Sequence, residues 1–199
     1  AHTFVATVAA IVHNGAAPVL VDIGKDGIMD VGKVKNAITK RTKAIIPVHL
    51  NGRLTDMSRL AELAKKHKLL IIEDAAQALG AKFKNKMAGS YGIAGCFSLY
   101  PFKMLGCFGD GGIVTTNNKT ISQKLVLYRD HGQDRPTGRV MMYGFNSRLD
   151  NLQAAILNAK FKHFKKWVAR RRAVAELYRK HLRTISQIQI PHYNDPRFF

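Results

Sequence analysis

The chain has 199 residues, of which 46% are hydrophobic and 23% charged, and its formal net charge is +19. That length can bury a core in one or two domains, and no apolar run reaches the ~20 residues that a membrane-spanning helix needs. Two cysteines, Cys96 and Cys107, rule out a disulfide scaffold, point to a reducing compartment and read as small packing residues.

The opening residues, "AHTFVATVAAIVHNG", lack Met and the charged start of a signal peptide. They read as a β-branched, strand-like run, and the chain as a fragment. "PVLVDI" (18–23) predicts a buried strand. A helix follows over 30–38, with Asp30 as N-cap and Val31, Val34 and Ile38 on one face. "KAIIPVHL" (43–50) predicts the next strand. "DMSRLAELAKKH" (56–67) is amphipathic through Met57, Leu60, Leu63 and Ala64, and its basic residues gather at the C-terminal end. "LLIIEDAA" (69–76) predicts a strand ending in acid, and 95–100 and 111–117 predict two more. "KTISQKLVLYRDHG" (119–132) predicts a helix stopped by Gly132. Residues 133–148 read as loop, with a turn at Pro136-Thr137-Gly138. One long helix is expected from about Asp150 to Leu182, then a short alternating run over 185–199.

This alternation predicts an α/β fold with a largely parallel sheet flanked by helices, in which ligands gather at the carboxyl ends of the strands. Residues 1–150 read as the large domain and 151–199 as a helix opening a second, smaller and truncated one. From Lys160 to Arg183, ten residues are Lys or Arg and one, Glu176, is acidic. Phe161, Phe164, Val168, Ala175, Leu177 and Leu182 keep helical spacing there, so the stretch reads as a helix with a solvated basic face. The charge alone would suit a nucleic-acid-binding domain, but no nucleic-acid signature accompanies it. No His/Cys cluster suggests a metal site.

"GCFSLYPFKMLGCFGDGG" (95–112) holds a single lysine, Lys103, among apolar residues and glycines. A lysine that acts as an amine nucleophile needs a poorly solvated site, and Gly106, Gly109, Gly111 and Gly112 allow turns and close backbone approach. A cofactor with an aldehyde, a cationic ring nitrogen and a phosphate would use a lysine, an acid at a strand end, hydroxyls and an aromatic. The chain offers Lys103, Asp74 with Gln77, Ser98 and Phe4 for these tasks. Any α/β protein has an acid at some strand end, so spacing alone leaves the reading open.

The run from Glu73 to Gly112, together with "HTFVATVAAIVHNGAAPVLVDI" and "GFNSRLDNLQAAIL" (144–157), resembles the DegT/DnrJ/EryC1/StrS family of pyridoxal-phosphate-dependent sugar aminotransferases. The resemblance covers about 180 residues in order. It implies the fold of the aspartate-aminotransferase type and a homodimer sharing its active sites. Lys103 would form the Schiff base to pyridoxal 5'-phosphate and then carry the proton. Asp74 would pair with the ring nitrogen, and Gln77 would lie near the ring hydroxyl. Ser98 would donate to the phosphate, and Phe4 would stack on the ring. Asn146, or alternatively Arg148, would reach the partner's phosphate. Met104 stands where family members often carry asparagine. His49 reads as packing, and His131 is left open. The implied substrates are L-glutamate as amino donor and a nucleotide-linked deoxysugar as acceptor, in the cytoplasm. The family also includes dehydratases on the same cofactor. One branch replaces the lysine with histidine, which Lys103 argues against.

Overall fold

The computed structural model describes residues 1–190. The opening run is a helix, α1 (Val5–His13), and not a strand. Ala6, Ala9 and Ala10 supply helix propensity that the flanking valines do not cancel. The end of α1 is closed by the Asn14 side chain, which donates to the Ala10 carbonyl at 2.8 Å, and by the Ala16 N–H on the Ile11 carbonyl at 3.2 Å. The predicted strand at 18–23 does not form. Val19 and Leu20 are exposed, and only an isolated antiparallel bridge, Ile23 to Met29, marks the segment. Among the described residues no strand lies alongside it, and a β-branched run without a neighbour has no ladder to join.

The next elements follow the sequence. α2 (Val31–Ala37) starts at Asp30, whose carboxylate accepts the Gly32 N–H at 2.9 Å, and it buries Val31 and Val34. β1 (Ala44–Ile45) is only two residues long. Pro47 interrupts the ladder because it has no N–H, yet its carbonyl accepts the Asp74 N–H, and Val48 bridges Asp74 beyond it. A short 3₁₀ turn spans Leu50–Gly52. α3 (Met57–His67) is capped by Asp56 and buries Met57, Leu60 and Ala64. β2 (Leu70–Asp74) follows, then a small hairpin of β3 (Lys82–Phe83) and β4 (Lys86–Met87). β5 (Ala94–Ser98) and β6 (Gly112–Thr115) complete the main sheet.

The sheet order is β1-β2-β5-β6, with the first two pairings parallel and the last antiparallel. One face of β2 and β5 carries Ile71, Glu73, Gly95 and Phe97, all buried. Ile71 and Phe97 belong there to the main apolar core, with Met57 and Leu60 of α3. The other face carries Asp74, Cys96 and Ser98, which are half-buried or exposed. Cys107 is fully buried, as a packing residue should be, whereas Cys96 is exposed because it falls on this open face.

α4 (Lys119–Tyr128) ends four residues before Gly132. Its C-terminal turn gives way where Asp130 leaves the helix to meet Arg135 and Arg148. The predicted loop contains a hairpin of β7 (Gln133–Asp134) and β8 (Arg139–Val140), turning at the expected Pro-Thr-Gly. The long C-terminal helix is two: α5 (Asn151–Phe161) and α6 (Phe164–Leu182). At the break the His163 N–H bonds to Lys160, three residues back, and Phe161 stacks on Phe164 with centroids 5.8 Å apart. Leu157 and Phe164 bury themselves with Leu99, Leu105 and Cys107 in a second cluster. Phe161 and Leu177 are exposed, so the predicted apolar face of the basic helix is only partly covered. Residues 185–188 make turns and no strand. The expected run over 191–199 lies outside the described residues.

Candidate functional site at the carboxyl edge of the sheet

Parallel pairing of β2 with β5 sets Asp74 against Cys96 and brings the ends of both strands to one edge. Asp74 is half-buried and held at both ends. Its N–H donates to the Pro47 carbonyl, and its own carbonyl accepts the His49 N–H, each at 2.9 Å. Its Oδ1 accepts the Ala76 N–H at 3.1 Å, and its Oδ2 accepts the Thr7 hydroxyl at 2.6 Å. The carboxylate therefore has a defined orientation at the sheet edge.

Gln77 follows one turn later. Its Oε1 accepts the Asn51 N–H at 2.7 Å, which leaves its amide N–H groups to donate outward. Ser98 ends β5, and its Oγ accepts the Tyr100 N–H at 3.2 Å while keeping its own proton. Lys103 lies in the turn that follows, half-buried, with its N–H on the Tyr100 carbonyl at 2.8 Å. The turn is anchored by the Cys107 N–H on the Leu99 carbonyl at 2.7 Å and by the buried Leu99, Leu105 and Cys107. At Gly106 a Cβ would fall 2.4 Å from the Pro101 carbonyl oxygen, so the turn folds back on itself only with glycine there. Among the described residues the Lys103 ammonium makes no hydrogen bond or ion pair. Phe4 is the N-cap of α1 and is 72% exposed, its ring outside the core.

Asn146 and Arg148 sit in a different cluster. The Arg148 guanidinium donates to the Asn146 Oδ1 at 3.0 and 3.2 Å and lies 3.5 Å from Asp130. The Arg135 hydrogen bond, outweighing partial desolvation, holds the Asp130 carboxyl below its ordinary value. His131 adopts a left-handed backbone, φ 57°, where the chain turns between α4 and β7.

Two residues of the site escaped the sequence reading. Thr7 carries no signal, since a threonine within a helical turn is unremarkable until Asp74 is placed beside it. Glu73 did carry one: strict alternation along 70–74 puts it on the buried face with Ile71. It is fully buried, and it accepts from the Tyr91, Gly92 and Gly89 N–H groups at 2.6, 2.8 and 2.7 Å and pairs with His49 Nε2 at 3.0 Å. Burial pushes its carboxyl up, but the His49 and backbone hydrogen bonds together prevail and leave it lowered. His49 is thus a buried packing partner, and the pair backs the strand that presents Asp74. Desolvation, then the Asp74 and Glu73 charges, push the Cys96 thiol up.

On and just after the carboxyl ends of β2 and β5 the chain thus carries a carboxylate, an amide, a hydroxyl and an amine, at Asp74, Gln77, Ser98 and Lys103. Among the described residues no group of three or more His, Cys, Asp or Glu is placed to hold a metal. The chain is 46% identical over 181 residues to the UDP-N-acetyl-3-dehydro-alpha-D-glucosamine 3-aminotransferase of Acidithiobacillus ferrooxidans, covering 90% of this chain and 49% of that protein. Its fold superposes with a TM-score of 0.91, at 42% identity, on S. venezuelae DesV solved in complex with a ketimine intermediate, covering 96% of this chain and 52% of DesV. With NtdA from Bacillus subtilis, solved with bound cofactor PMP, the TM-score is 0.87 at 32% identity, over 98% of this chain and 45% of NtdA. The chain spans about half the length of the relatives it matches. Residues 1–197 match the DegT/DnrJ/EryC1/StrS aminotransferase family, and the chain belongs to that family.

Proposed function

We propose that the protein uses pyridoxal phosphate to move an amino group, from L-glutamate, onto a keto group of a nucleotide-linked deoxysugar. The observation that carries this reading is the half-buried Lys103, without a side-chain partner among the described residues, on the turn that follows Ser98 at the edge where Asp74 is held by Thr7 and Ala76. The names of relatives, sugar aminotransferases among them, support the reaction class and the nucleotide-sugar acceptor.

When bound, the cofactor supplies an aldehyde that captures amines and a cationic ring that stores the electron pair released at the substrate carbon. This chain's residues do the rest. The Lys103 amine would anchor the cofactor, and its Nζ would carry the proton between the substrate carbon and the cofactor carbon. The Asp74 carboxylate keeps the ring nitrogen protonated through a charge-assisted hydrogen bond. Gln77 donates from its amide to the ring hydroxyl, Ser98 donates to the phosphate, and Phe4 covers the ring face. Asn146 spends only its oxygen on Arg148, so its amide N–H groups serve a neighbouring subunit's phosphate in a homodimer. No helix among the described residues is long and apolar enough to cross a membrane.

The test is the visible spectrum after incubation with pyridoxal phosphate. A yellow band that borohydride fixes as added mass on the Lys103 peptide, and that Lys103→Ala lacks, is expected. Bleaching by L-glutamate then reports amino transfer. A protein that takes up no cofactor, or fixes it on another lysine, would overturn the reading.

A further inference from the structure

We propose that Thr7 is a positioning residue that joins Phe4, proposed to cover the cofactor ring, and Asp74, proposed to meet its nitrogen, into one unit. The inference rests on the proposed use of pyridoxal phosphate and concerns how this chain sets the ring's orientation.

Thr7 makes both connections itself. Its backbone N–H donates to the Phe4 carbonyl at 3.2 Å, closing the first turn of α1 at the N-cap. Its hydroxyl donates to Asp74 Oδ2 at 2.6 Å, across 67 positions of sequence. The direction of the chain of hydroxyls follows from proton counting. A hydroxyl carries one proton and a carboxylate accepts only, so Thr7 spends its proton on Asp74. Thr3 Oγ1, 2.8 Å from Thr7 Oγ1, must then be the donor of that pair. The Thr3–Thr7–Asp74 relay points one way, toward the carboxylate.

The bond matters because α1 has little else to hold it. None of its residues is buried, and Phe4, Val5 and Val12 are exposed. Val8, Ala9 and Ile11 are only half-covered, so burial contributes little and polar contacts help set the helix's placement on the sheet edge. With Ala76 on Oδ1 and Thr7 on Oδ2, the carboxylate can rotate only by breaking one of the two bonds. Removing the hydroxyl unties the turn that carries Phe4 from the carboxylate and leaves Asp74 Oδ2 without the Thr7 donor.

The experiment is a pyridoxal phosphate titration of the complete protein and of Thr7→Val and Thr7→Ser, read by the visible band and by its induced circular dichroism. Valine keeps the shape of threonine and lacks the hydroxyl, whereas serine keeps the hydroxyl. Thr7→Val should raise the dissociation constant about tenfold, the scale of one hydrogen bond to a charged group. It should also diminish the induced dichroism, which reports ring orientation. Thr7→Ser should restore both. Thr7→Ala serves in the same way should the valine variant not fold. Equal binding and dichroism in Thr7→Val, or equal losses in Thr7→Val and Thr7→Ser, would overturn the inference while leaving the proposed function intact. A wild-type protein without a borohydride-fixable band would overturn the proposed function and this inference with it.

Discussion

Glu73 and Asp74 are neighbours with opposite assignments, because successive side chains of a strand point to opposite faces. Asp74 meets the open edge, whereas Glu73 turns inward and organises backbone that has no sheet partner. Its two oxygens collect three N–H groups from residues 89–92 and the His49 ring. Truncation strands all of them, so Glu73→Ala should destabilise the fold by about 3–5 kcal/mol, measured by urea denaturation. The pH dependence has a definite sign. The carboxyl is lowered in the folded protein from its ordinary 4.5, so the unfolded chain binds its proton first as the pH falls. Its contribution is complete above 4.5 and is lost as the pH drops through the folded value. Glu73→Gln should be less stable near neutrality and should lose less on acidification than the wild type. An identical acid limb in both proteins would contradict this assignment.

At the scale of elements, β5 meets the 89–92 segment at van der Waals contact. A Cβ on Gly95 would lie 2.2 Å from the Gly89 Cα, and both positions border the Glu73 cradle. Gly95→Ala should therefore cost about 3 kcal/mol or more, since it forces backbone apart and not a flexible side chain. A change in the urea midpoint within error of zero would show that the two segments are not packed as described. The helices show which local signals suffice. Asp30 and Asp56 start α2 and α3 as their positions before apolar periodic runs imply. α5 and α6 part at 162–163, where neither Pro nor Gly marks the break.

At the scale of the whole molecule, large apolar side chains remain uncovered in several places. Phe102, Phe108, Tyr143 and Phe145 are exposed by 86, 75, 97 and 69%. Aromatic residues of this kind supply the anchors of protein interfaces. The proposed homodimer would cover them, and sedimentation of the protein at micromolar concentration should show a dimer. Phe145→Glu, beside Asn146, should weaken association about tenfold or more. Sedimentation of Phe145→Glu indistinguishable from wild type would place the interface elsewhere.

The candidate residues could be placed from the chain because they are residue types in fixed order, while their roles came from the family resemblance. An acid at a strand end, a serine five residues before a lysine and glycines after it are local features, and they stay local in the fold at Asp74, Ser98 and Lys103. The layer class and the capped helices α2 and α3 were legible for the same reason, since caps and periodicity act within one or two turns. What depends on a distant partner was not. The run at 18–23 is β-branched but has no strand beside it among the described residues. The opening run became α1, whose Thr7 finds Asp74 only once the sheet has formed. Cys96 faces outward because the register of β2 and β5 turns that face to the open side. Local sequence thus determined the candidate groups and the capped helices, while strand pairing, a long-range contact that no single segment encodes, decided which groups meet and which side chains are covered.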